Sequence, residues 1–229
     1  MTLVVLAHGS ANPAGLRTVR AVAARVRHRL PGVPVRVAYV EISRPSLATV
    51  LADVEEQAVV VPLLCAQDHA AVEGATAPRG VLVANTMGPE RLLAHVVTER
   101  LRAAGARRGQ PVMLVVAGSR DPSAQGDAAR AAHLVEVAWG GPVRTAHLTG
   151  HGQRMSEVLQ VFEDLGVPPP AVAPYLVSPG HLHDRVRLGA HTLGVEVVAD
   201  VLGDHPCVGE AVVRRYRAAT AHRFALSLS

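Results

Sequence analysis

The chain repeats itself, and that constrains its fold more than any other feature. Val5–Pro13 (VLAHGSANP) aligns with Leu114–Pro122 (LVVAGSRDP), at an offset of 109 residues. Pro34–Glu41 (PVRVAYVE) aligns with Pro142–Thr149 (PVRTAHLT), at an offset of 108. Val60–Leu64 matches Val172–Leu176 at 112, and Gly80–Ala84 matches Gly194–Val198 at 114. Four blocks in one order at nearly one spacing point to a duplicated domain.

Within each half, short apolar runs alternate with helical patterns, which predicts parallel sheets covered by helices. Expected strands lie near 2–7, 34–40, 58–64 and 81–85, then near 112–117, 142–148, 171–177 and 195–199. Expected helices lie near 15–30, 45–54, 70–77 and 90–104, then near 123–138, 153–165, 181–190 and 206–221. In the first helix Leu16, Val19, Val22 and Val26 recur at three- and four-residue spacing, with Arg between them. In the helix of 90–104, Leu93, Val97 and Leu101 share one face and Gly105 follows its end. Ala104–Pro111 (AGARRGQP) reads as the linker between the halves.

Leu3–Gly15 (LVVLAHGSANPAG) is an apolar run that breaks into His-Gly-Ser and a turn cluster. Ligands of open α/β sheets bind at the carboxyl ends of strands. His8, Glu41 and His69 all fall just past expected strand ends, so parallel strands aim all three at one edge of the sheet. Two imidazoles and a carboxylate suit a divalent first-row metal and leave positions open for substrate. The competing reading is three unrelated polar residues at loop starts. The duplication bears on the choice: the partners of His8 and Glu41 are Ala117 and Thr149, neither able to replace them, and only His181 matches His69.

Charge is distributed unevenly. Residues 1–110 hold 13 Arg against 8 acidic residues, whereas residues 111–229 hold 10 against 11. An anionic ligand is therefore expected to prefer the first half. Every basic residue is Arg, and the Arg are scattered; with aromatics at 3%, this argues against nucleic acid as a partner. Gly-x-Ser-x-Gly and Walker-type Gly-x-x-x-x-Gly-Lys patterns are absent, which disfavours hydrolase and nucleotide readings of the Gly-Ser loops. Cys65 and Cys207 form no Cys-x-x-Cys pair and fit a reducing compartment. Cys65 reads as a small buried apolar residue. The start shows no signal-peptide pattern, and no apolar run approaches membrane-spanning length. His147, His151, His181 and His183, with Asp184, cluster near second-half strand ends; they read as solvent-facing histidines, the alternative being a further metal site or a metal-acquisition relay.

At this point the sequence becomes recognisable. The opening strand followed by AHGS, Ala38–Glu41 (AYVE) with Pro45-Ser46-Leu47, Val60–Leu64 followed by His69, GSRDP (Gly118–Pro122) and APYLVSPG (Ala173–Gly180) together resemble the sirohydrochlorin chelatase family of class II, ATP-independent chelatases. The resemblance covers nearly the whole chain, duplication included. It implies two chelatase-like α/β lobes, each with a parallel four-stranded sheet flanked by helices. Residues 1–106 would carry the metal site and residues 107–229 would be a degenerate copy. It implies insertion of Fe2+ or Co2+ into sirohydrochlorin, in siroheme or cobalamin biosynthesis. The metal ion is then a substrate and no organic cofactor is needed. His8, Glu41 and His69 take the family's metal-binding and catalytic positions, and Ser10, Asn12 and Gln67 stand beside them as substrate contacts. A cytoplasmic monomer or homodimer without membrane partner follows. The sequence departs from the family at Ala66–Glu73 (AQDHAAVE), where a Gly/Tyr-like approach and Asp-Ile-Pro are usual, and at Ala11 and Asn12, where Ser-Ala-Asn-Pro replaces the more usual Ser-Arg-Asp-Pro. Those departures keep open a second reading: a non-catalytic relative that binds or delivers a divalent metal or a tetrapyrrole.

Overall fold

The computed structural model describes residues 1–54, 57–66 and 80–226. The first half runs β1 (Thr2–Ala7), α1 (Pro13–Arg29), β2 (Val35–Tyr39), α2 (Leu47–Ala52), β3 (Ala58–Pro62), β4 (Val81–Val83) and α3 (Arg91–Ala103). The second runs β5 (Val112–Val116), α4 (Pro122–Trp139), β6 (Val143–His147), α5 (Met155–Asp164), β7 (Ala171–Pro174), α6 (His181–Thr192) and α7 (Pro206–Leu226). The helix expected near 70–77 lies outside the described residues.

Both sheets are parallel, ordered β2-β1-β3-β4 and β6-β5-β7. The central strands β1 and β5 are buried along their whole length because helices cover both faces. Successive side chains point to opposite faces. Leu3 and Val5 therefore enter the core around α1, while Val4 and Leu6 pack with Leu47 and Val50 of α2. In β5, Val112, Leu114 and Val116 enter that same central core, and Met113 and Val115 a separate one with Val158 and Phe162 of α5. One continuous core thus joins the two lobes. Val19, Val22 and Val26 of α1 are buried in it, as their spacing predicts; each contributes about 1.5–3 kcal/mol.

The last helix of each half crosses over. Helix α3 packs on α4 and β7, and α7 returns to pack on α1, α3 and β3. Polar contacts hold these crossings in place: Arg215 donates from Nε to the Thr86 carbonyl (2.7 Å), Arg100 donates to the Leu202 carbonyl (3.0 Å), and Arg29 pairs with Glu210 (2.8 Å).

The second sheet has three strands, not the four expected. Near 195–199 only a single bridge forms, Val172 with Val198. Val172 donates to the Val197 carbonyl and accepts from Ala199 N–H, both at 2.8 Å. The next donors along this edge would be residues 170 and 174, and both are proline. Proline has no N–H to give, so the ladder ends after one rung in each direction. In the first sheet Ala58 stands where Pro170 does, and β4 keeps three paired residues; Pro62, the match of Pro174, stops the ladder there.

Candidate functional site

The carboxyl ends of the two sheets open onto a shared cleft of about 790 Å3, within the ~300–1,000 Å3 usual for ligand clefts. His8, Ser10, Asn12, Tyr39 and Ile42 line it from the first lobe, and Ser119, His147, Thr149, Tyr175 and His181 from the second.

His8 and Glu41 are brought together by backbone. The β1–β2 ladder continues past both strands: Val40 N–H donates to the Ala7 carbonyl (2.9 Å) and Glu41 N–H to the His8 carbonyl (3.0 Å). Ser43 locks the corner by accepting from Ser10 N–H (3.0 Å) and donating to the Ser10 carbonyl (3.1 Å). Between Glu41 and Ser43 the chain makes a three-residue turn. Ser43 N–H reaches the Glu41 carbonyl at 2.5 Å, and Ile42 sits at φ 62°. Gly9, at φ 104°, backs onto the Glu41 carbonyl so closely that a Cβ there would fall on its oxygen. His8 and Glu41 are both exposed. His8 lines the cleft, whereas beside Glu41 it is Tyr39 and Ile42 that do.

The remaining expected site residues divide. His69 and Gln67 lie outside the described residues. Asn12 caps α1, its Oδ1 accepting from Ala14 N–H (2.9 Å). Ser10 Oγ accepts from Asn12 N–H (3.0 Å), and Ser10 stands close to Gly180 of the other lobe. Among the described residues no three His, Cys, Asp or Glu side chains assemble into a metal-holding group. Burial pushes the Cys65 thiol up to about 12, so it stays protonated and is no thiolate ligand. Ser43 and Ile42 escaped the sequence reading; the only trace was a Ser two residues past Glu41, a common turn pattern.

The second lobe repeats part of the corner with other residues in the places of His8 and Glu41, while His151 N–H goes to the Ser119 carbonyl (3.3 Å) and the Ser43 bonds have no counterpart among the described residues. Thr149 N–H donates to the Ala117 carbonyl (3.0 Å), matching Glu41 to His8. Asp121 N–H donates to Ser119 Oγ (3.1 Å) and Ser123 N–H to Asp121 Oδ1 (2.9 Å), matching the Ser10–Asn12–Ala14 chain. Thr149 Oγ1 turns back onto the Ala117 carbonyl (2.8 Å). The second-lobe corner therefore offers backbone geometry and no metal ligand.

Two second-lobe histidines are buried, not solvent-facing as expected: His147 and His183 are each 7% exposed. His147 sits in the register position of Tyr39, and its Nδ1 has no partner among the described residues. Burial, then the Arg154 guanidinium, holds the His147 imidazole below the usual 6.5. Burial lowers His183 as well, partly offset by Asp200. Both groups bind protons more weakly folded than unfolded, so stability is full above about pH 6.5 and is lost as pH falls from there through the folded values. Thermal unfolding should show the midpoint dropping between pH 7 and pH 5, and His147→Leu should reduce that slope. An identical slope in the variant would remove His147 from the account.

Three helices direct their amino termini at the cleft, through Asn12 and Gly15 of the α1 start, Ala124 and Gln125 of α4, and Gly180 and His181 of α6. Gly180 supplies no side-chain cap, so the first-turn N–H groups of α6 have no side-chain acceptor at the cap. Converging helix amino termini favour an anion.

Two copies of one parallel α/β unit facing each other over a common cleft define a duplicated, two-lobed α/β protein. More particularly, the chain belongs to the CbiX family, whose model matches residues 2–104 and again residues 111–219. Its fold is similar to that of SirB from Bacillus subtilis with Fe3+ (TM-score 0.78, 21% identity, covering 98% of this chain and 98% of that one). It is also similar to the sirohydrochlorin chelatase SirB from Bacillus subtilis subspecies spizizenii in complex with cobalt (TM-score 0.74, 18% identity, 96% and 95% covered). A third likeness is to a multi-domain protein of Deinococcus radiodurans with structural similarity to chelatases and two additional domains (TM-score 0.70, 18% identity, 94% of this chain and 54% of that one). No curated protein sequence matches the chain significantly. Among the described residues no helix is long and apolar enough to cross a membrane.

Proposed function

We propose that this protein inserts Fe2+ or Co2+ into sirohydrochlorin, with the site in the first lobe. The observation that carries the reading is the His8–Glu41 corner at one wall of the interlobe cleft, whose matching positions in the second lobe are Ala117 and Thr149. Family membership and likeness to structures holding iron and cobalt support a chelatase. The helix amino termini at the cleft and the Arg excess of the first half suit a polycarboxylate.

Insertion exchanges two pyrrole protons for one divalent ion. His8 and His69, with Glu41, hold the ion at the corner. As the ion passes to the ring its former ligands are freed, and an imidazole and the Glu41 carboxylate each take one of the two departing pyrrole protons. The cleft walls hold the ring bent toward the geometry that admits the ion.

Incubation with sirohydrochlorin and Co2+ or Fe2+ without oxygen, followed by absorbance, tests this. Insertion should exceed the protein-free rate and should fall back to it in His69→Ala. A wild-type rate equal to the protein-free rate would overturn the assignment; tight tetrapyrrole binding without turnover would favour the carrier reading.

A further inference from the structure

Ile42 is the anomaly of the first-lobe corner. Its backbone is left-handed, at φ 62°, a conformation that β-branched residues rarely adopt. It is also 68% exposed. Among the described residues the other exposed large apolar side chains are Val83, Val137, Leu165 and Leu188, and none of these lines the cleft. Ile42 does, immediately after Glu41. A strained backbone and a wet apolar side chain thus coincide at one position.

The matching position of the second lobe carries no such strain. At the matching offset of 108 residues the second lobe has Gly150, at φ 66°. Glycine takes that conformation without steric cost. The copy that lacks ligands has the unstrained residue, and the copy that carries His8 and Glu41 has isoleucine. Gly150 is fixed as glycine by its own packing, since a Cβ there would run into the Ser119 carbonyl; the Ile42 side chain stands in the cleft wall, where what enters the cleft can use it.

We infer that Ile42 is an apolar contact for the face of the bound tetrapyrrole, seating the ring over the His8–Glu41 corner. This rests on the substrate assignment above. A conjugated macrocycle carries its carboxylates on the rim and presents an apolar face. Helix amino termini meet the rim, and Ile42 supplies exposed apolar area where the ring centre must approach the metal ligands. Contact with the ring face removes that area from water, which is favourable in proportion to the area covered. The β-branched side chain, held by the Glu41–Ser43 turn, loses little freedom on contact.

The test uses two full-length variants. Asn tolerates a left-handed backbone, so Ile42→Asn keeps the turn and removes the apolar surface; Ile42→Leu keeps the surface. Three quantities are read: affinity for metal-free sirohydrochlorin by absorbance titration, Co2+ affinity by calorimetry, and the thermal midpoint. Ile42→Asn should weaken sirohydrochlorin binding about tenfold, leave Co2+ binding unchanged, and unfold at the same or a higher temperature. Ile42→Leu should bind sirohydrochlorin nearly as wild type does. Unchanged sirohydrochlorin affinity in Ile42→Asn would overturn the inference and leave the substrate assignment standing. Loss of Co2+ affinity in parallel would overturn it too, by showing that Ile42 acts only through the placement of Glu41. A wild-type chain that binds Co2+ but no sirohydrochlorin would overturn the substrate assignment, and this inference with it.

Discussion

The His8→Ala protein should lose metal insertion by at least about 100-fold while unfolding at the wild-type temperature. The two halves of that expectation have separate grounds. His8 is exposed at the end of β1, and its visible part in holding the fold is its carbonyl, which accepts from Glu41 N–H. Alanine keeps the carbonyl and removes only the imidazole. The second lobe offers no rescue, since Ala117 and Thr149 occupy the equivalent corner. Single-turnover absorbance with sirohydrochlorin and Co2+, alongside a melting curve, reads both halves. Wild-type turnover in the variant would place the working site elsewhere; a collapsed melting curve would make His8 a structural residue.

Gly9→Ala should be severe in a different way, costing about 2–4 kcal/mol of stability and nearly all metal binding. At φ 104° the new Cβ would land on the Glu41 carbonyl oxygen, which is backbone and cannot rotate aside. Relief requires parting the two loops. That breaks the Glu41-to-His8 bond and the Ser10–Ser43 pair, and so separates the two proposed ligands. Gly118→Ala is the internal control. Gly118 (φ 84°) backs onto the Thr149 carbonyl in the same way, so stability should fall by a similar amount. Metal binding per folded molecule should survive there, because no ligand is displaced. Denaturant unfolding gives the first quantity and Co2+ calorimetry the second. Equal loss of metal binding in both variants would refute the one-lobe site.

What the chain's own letters determined is local or repetitive. Leu3–Leu6 is a buried strand because a fully covered parallel strand needs an unbroken apolar run. Helices α1 and α3 follow from apolar spacing that matches their buried faces. The pairing of His8 with Ala117 and of Glu41 with Thr149 follows from alignment alone, and the matched hydrogen bonds reproduce it. Tertiary structure decided the rest. Whether residues 195–199 complete a sheet depended on which N–H groups of β7 faced them, and Pro170 and Pro174 withheld theirs. Whether His147 and His183 met water depended on neighbours remote in sequence, and both are buried. The crossing of α3 and α7 onto opposite lobes leaves no periodic trace, because each helix shows an apolar stripe whichever lobe receives it. The His8–Glu41 corner depends on bonds between Ser10 and Ser43, 33 residues apart, and on the turn that lifts Ile42 into the cleft. Periodicity records which face of an element is apolar; it does not record what that face meets, and the site is made from such meetings.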